Sequence, residues 1–113
     1  MTNSCRKGKS GERELSHELQ RLFGIHCHRT QQHCGDAGDS DVTGLPGIFI
    51  ECKRVQSLNV PKAVAKAVEQ CPESEVPAVF HRRNREPWLV TCHLDDLPAL
   101  ATNLYLILTE KHS

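Results

Sequence analysis

Aromatic residues are scarce in this chain: three Phe, one Trp and one Tyr make up 4% of 113 positions. So small a set offers little surface for stacking unpaired bases, and any nucleic-acid contact would run mainly through the sugar-phosphate backbone. No uninterrupted apolar run approaches ~18 residues, which excludes a membrane-spanning helix. The opening stretch, residues 1–14, is polar and basic and has no apolar segment of the secretory type, so the expected compartment is the cytoplasm. Net charge is also missing, since 14 basic residues balance 14 acidic ones; whole-molecule charge alone gives no reason to expect a polyanionic partner. Neither repeats nor low-complexity tracts occur, and the length suits one domain spanning residues 1–113. The six cysteines are scattered, with no C-x₂₋₄-C pair, and are expected as thiols in a reducing compartment. Cys27, His28, His33 and Cys34 therefore make a poor zinc site, despite the H-x₄-H spacing of the two histidines.

What is present is a pattern of alternating secondary-structure signals. Ser10 is placed to cap a helix starting near Gly11, in which Leu15, Leu19, Leu22 and Phe23 recur at helical spacing until Gly24. Residues 25–30 read as a short strand and 31–40 as a mobile polar loop with Gly35 and Gly38. Residues 41–44 and 48–53 read as a hairpin around Leu45, Pro46 and Gly47. Asn59 and Pro61 open a second helix, with Val60, Val64, Ala67, Val68 and Cys71 on one face and Pro72 at its end. Residues 77–82 and 87–92 read as strands about a turn at 83–86, and 94–109 as a terminal helix interrupted near Pro98. The order helix, three strands, helix, two strands, helix predicts an α/β or α+β domain built on one mixed sheet.

Charge is unevenly placed. Arg6, Lys7, Lys9 and Arg13 crowd the start and Arg82, Arg83 and Arg85 a later turn, whereas Asp36, Asp39, Asp41 and Glu51 occupy a stretch without Lys or Arg. In the strand Ile48-Phe49-Ile50-Glu51-Cys52-Lys53, alternation puts Phe49, Glu51 and Lys53 on one face. Two opposite charges thus end a run otherwise fit for burial, where an unpaired ion costs several kcal/mol. A three-residue hairpin loop would pair Gly44 with Ile48 and set Asp41 opposite Glu51, about 5 Å away. Carboxylates that close repel unless a proton or cation intervenes. Glu12 shares the helical stripe of Leu15, Leu19 and Phe23 that should pack on the sheet, although an acid there could also simply complement the helix N-terminus. Asp41, Glu51 and Glu12, with the Cys52 carbonyl, are hard oxygen donors suited to Mg²⁺ or Mn²⁺, and Lys53 stands beside them. Such a set can activate water and stabilise charge at phosphorus, the needs of phosphodiester hydrolysis.

Lys7-Gly8-Lys9-Ser10-Gly11-Glu12-Arg13-Glu14, a Gly-containing loop, Asp41, then Ile50-Glu51-Cys52-Lys53-Arg54 and a following helix together resemble the PD-(D/E)XK nuclease superfamily. Over residues 7–92 the order is similar to archaeal and phage Holliday junction resolvases and small phage endonucleases. The resemblance implies a restriction-endonuclease-like αβββαβ core with a mixed sheet flanked by helices. It also implies Mg²⁺-dependent cleavage of DNA, branched or duplex, and a homodimer. It assigns Glu12, Asp41, Glu51 and Lys53 to metal binding or catalysis and points to Gln70 as an auxiliary polar residue. Ser40 stands where proline usually precedes the first acid, leaving Asp39 and Asp36 as competitors of Asp41.

Lys7, Lys9, Arg13, Arg54, Arg82, Arg83 and Arg85 are candidates for DNA phosphates, by the same charge logic that would make them a solvated surface. Trp88 suits a core or dimer contact better than a base platform. The terminal helix, with Leu97, Leu100, Ala101, Leu104, Leu106, Ile107 and Leu108, is more apolar than a one-sided helix requires, which suggests a second copy as partner. The competing functional reading is a catalytically silent DNA-binding or assembly module on the same fold.

Overall fold

The computed structural model describes residues 4–29 and 41–110, with side chains from residue 9 onward. Three helices, α1 (Ser4–Phe23), α2 (Val60–Gln70) and α3 (Leu97–Glu110), alternate with five strands. These are β1 (His28–Arg29), β2 (Val42–Thr43), β3 (Ile48–Arg54), β4 (Val76–Arg82) and β5 (Leu89–Thr91). The order is the one expected from the sequence, and the architecture is a mixed α+β fold compatible with a restriction-endonuclease-like core. No described helix is long and apolar enough to cross a membrane.

β3 and β4 run parallel in register from Ile48 and Val76 to Arg54 and Arg82, with α2 as the crossover. β5 adds antiparallel to β4, giving the order β3-β4-β5. Alternation in the two parallel strands feeds separate cores. Ile48, Ile50, Ala78 and Phe80 pack with Leu15 and Leu19 of α1 and Leu100 and Ile107 of α3. On the opposite face Phe49 and Val79 pack with Ala63, Val64 and Ala67 of α2. Each fully buried large apolar side chain contributes about 1.5–3 kcal/mol, so these two strands carry much of the stability.

Helix boundaries follow their chemistry, with one exception. Asn59 caps α2, its Oδ1 accepting from the Lys62 N–H at 3.1 Å. Gly24, at φ 71°, ends α1 by donating to the Gln20 carbonyl at 2.8 Å. A short 3₁₀ turn, Leu94–Asp96, precedes α3, so the break falls before Leu97 and Pro98 sits harmlessly in the first helical turn. The exception is the start of α1, which lies at Ser4 rather than near Gly11, so Ser10 is an interior residue and not a cap. Gly11 survives mid-helix because a Cβ there would come within 2.9 Å of Arg54 Cβ; its bareness lets α1 close on the end of β3. On α2, Ala63 is buried while Val68 is exposed, which shifts the packed face slightly from the expected stripe.

The hairpin expectation is overturned. β2 pairs antiparallel with β1, through His28 with Thr43 and Arg29 with Val42, and forms no ladder with β3. Gly44, at φ 131°, causes this: its bare backbone lies against the His26 carbonyl and Cys27, where a Cβ would meet atoms at 2.6 to 2.9 Å. Leu45 then dives into the core, and the connection no longer has simple hairpin geometry. Main-chain bonds from the Asp41 N–H to the Ile50 carbonyl at 2.8 Å and from the Ile48 N–H to the Leu45 carbonyl at 3.2 Å still tie this segment to β3.

Candidate active site

β3 delivers Glu51 and Lys53 to its α2 side, the face that carries Phe49 into the second core. The Glu51 carboxylate is almost fully buried, at 4% exposure for the residue. Two ammonium groups approach its Oε2 atom: Lys53 Nζ at 3.8 Å from the same strand, and Lys66 Nζ at 3.6 Å from α2. Both distances exceed hydrogen-bond length, so they act as Coulombic partners that offset the cost of burying the charge.

Asp41 arrives from the segment just before β2. Its Oδ2 accepts the Cys52 N–H at 2.7 Å, which fixes the carboxyl group along the edge of β3 that β4 leaves open. The expected neighbour of Asp41 is thus reached without the expected register: main-chain and side-chain bonds to Ile50 and Cys52 straddle Glu51 in place of a ladder. Burial, then the Glu51 charge, pushes the Asp41 carboxyl up to about 7, against the opposing effect of the Cys52 N–H. Glu12, in the third turn of α1, is also raised, first by burial and then by Glu51, while Arg29 of β1 draws it down. Arg29 Nε lies 3.6 Å from Glu12 Oε1. Because α1 begins at Ser4, Glu12 stands too far from the helix N-terminus to serve that end. The Cys52 thiol lies on the other face of β3 and is pushed up by burial, Asp41, Glu12 and Glu51 in turn.

Glu12, Asp41, Glu51 and Lys53 therefore come from α1, the β2 approach and β3 to within electrostatic range of one another. Asp36, Asp39 and His33 lie outside the described residues, as does the 31–40 loop. Gln70 ends α2 half-buried, and the residue that α2 presents to Glu51 is Lys66, one turn earlier. Sequence reasoning missed both Lys66 and Arg29, since a charge on a helix face or in a short strand reads as solvated. The usable signal for Lys66 was its place flanking the packed stripe of α2, three residues after the buried Ala63 and one before the buried Ala67.

The basic candidates scatter. Lys9 and Arg13 are exposed on α1, while the side chain of Lys7 lies outside the described ones. Arg54 and Arg82, register partners at the ends of β3 and β4, are both held by Glu14 of α1, Arg54 Nε at 3.0 Å and Arg82 through Nη1. Arg83 pairs with Glu86 at 3.0 Å across the exposed turn, and Arg85 is exposed with φ 64°. Cys27 is buried in the main core, and His28 bonds Thr43 Oγ1 at 3.0 Å, so neither is arranged for zinc.

The donor chemistry fits a small hard cation: two neighbouring carboxylates with the Cys52 main chain alongside, and like charges whose mutual repulsion a cation would relieve. Among the described residues no three His, Cys, Asp or Glu side chains form a metal-holding group. Mg²⁺ does not require one, because it keeps several waters and is commonly bound through one or two carboxylates.

No curated protein and no solved structure matches the chain. A family model described as "Phage putative PDDEXK endonuclease" matches residues 3–112. That span takes in α1, Asp41 and the Glu51-Cys52-Lys53 strand together, and the chain belongs to this family of phage PDDEXK endonucleases.

Proposed function

We propose that the chain is a metal-dependent DNA endonuclease that hydrolyses phosphodiester bonds, with branched DNA of the Holliday junction type as its substrate. The observation that carries this reading is the pair of adjacent carboxylates, Asp41 and Glu51, set beside the Lys53 ammonium at the open edge of β3. Asp41, Glu51 and the Cys52 carbonyl would hold Mg²⁺ or Mn²⁺, with Glu12 in support. When bound, the ion supplies Lewis-acid stabilisation of phosphoryl oxygen and an acidified water.

The chain's own groups do the rest. Lys53 meets the phosphate oxygens, where its positive charge is worth more as negative charge builds toward the transition state. Lys66, 3.6 Å from Glu51 Oε2, offsets the buried carboxylate charge when no substrate is present. Glu12, raised in proton affinity by burial and steadied by Arg29, can accept a proton from the attacking water. The preference for branched DNA rests on the resemblance of the motif order to that of small resolvases. A homodimer would offer two such sites to opposed strands, and the apolar surface of α3 and β5 suits a second copy.

The test is direct. Asp41→Asn and Glu51→Gln variants with parent-like circular dichroism should cut junction, flap and duplex DNA at least about 100-fold more slowly in Mg²⁺. Cutting at the parent rate would overturn the assignment. A parent that binds DNA but yields no product with either Mg²⁺ or Mn²⁺ would instead establish a silent binding module.

A further inference from the structure

Resting on the nuclease reading above, we propose that the DNA backbone beside the cut lies along the first turns of α2, with Lys62 and Lys66 on neighbouring phosphates. A depression of about 460 Å³ opens there, bordered by Lys53, Asn59, Lys62 and Lys66, with Leu58 in its lining and Glu69 also at its border. Lys53 belongs both to this depression and to the acidic site, so the groove leads into the reacting centre.

Lys62 and Lys66 sit one helical turn apart and repel each other. Lys66 leans on Glu51, whereas Lys62 forms no ion pair among the described residues. By contrast Arg54, Arg82 and Arg83 are already committed to Glu14 and Glu86. Of the three lysines bordering the depression, Lys53 and Lys66 face Glu51, and Lys62 is the one with no acidic partner among the described residues. No aromatic side chain lines the depression, which suits a phosphate track and not a pocket for an everted base.

The probes are a four-way junction and a linear duplex of the same length, titrated by fluorescence anisotropy in chelator across a salt series. Lys62→Ala should weaken binding roughly five-fold and lower the slope of log K against log salt by about one, and Lys62→Glu should weaken it further. In Mg²⁺ the same variants should show a raised KM. Parent-like affinity and slope in both variants would overturn the track. The two failures separate cleanly. If the nuclease reading fails, the parent leaves DNA uncut; if only the track fails, the parent cuts and Lys62→Glu binds and cuts equally well.

Discussion

Asp41 is a carboxyl group in an unfavourable place, crowded by Glu51 and drawn out of water, and its proton affinity records the conflict. The folded chain holds a proton there up to about pH 7, whereas the unfolded chain releases it near the ordinary 3.8. Between these values the native state binds more protons than the unfolded one, so stability falls as pH rises from about 4 to about 7 and is level above that. Burial of Glu12 acts in the same direction. In chelator, thermal melts followed by circular dichroism should show the midpoint dropping across this window, by an amount equivalent to a few kcal/mol at most. Asp41→Asn should flatten the curve, and Mg²⁺ should flatten it for the parent, because a bound cation replaces the proton. A parent midpoint that rises between pH 5 and 7 in chelator would contradict this account.

Among the elements, the junction of α1 with the ends of β3 and β4 depends on one residue. Glu14 receives both Arg54 and Arg82, which parallel pairing places side by side. Removing the acid leaves two half-buried guanidinium groups facing each other, a cost between that of an exposed pair and a buried one, about 1–3 kcal/mol. Glu14→Ala should lower the urea midpoint accordingly, and Glu14→Gln should recover part of it. The same junction shows where sequence reading succeeds and where it stops. Alternation in 48–53 put Glu51 and Lys53 on one face because a strand offers only two, and the caps at Asn59 and Gly24 follow from local chemistry. The pairing of β2 with β1 was illegible because it turns on the positive φ of Gly44 and its approach to Cys27, a contact between distant segments. Parallel pairing of β3 with β4 is likewise set by the α2 crossover and leaves no mark in either strand. Lys66 and Arg29 acquire meaning only when the tertiary fold brings Glu51 and Glu12 to them.

At the scale of the molecule, apolar surface remains uncovered. Leu94 is 81% and Tyr105 66% exposed, and Leu89 and Val90 on edge strand β5 each exceed half. An edge strand with apolar side chains beside an apolar helix is a template for association. The chain should therefore run as a dimer, about twice 12.7 kDa by light scattering. Val90→Lys combined with Leu106→Glu should yield monomers of unchanged helicity. A parent of single-chain mass at micromolar concentration would remove the dimer from the proposal.

β3 is sandwiched between the two cores, with Phe49 locked into one and Ile50 into the other. Opening either layer alone leaves the strand clasped by the remaining one, so the segment bearing Glu51 and Lys53 has no private route to fraying. Chemistry and architecture should consequently disappear together on heating, with no intermediate temperature at which an intact-looking molecule has lost its reactive strand.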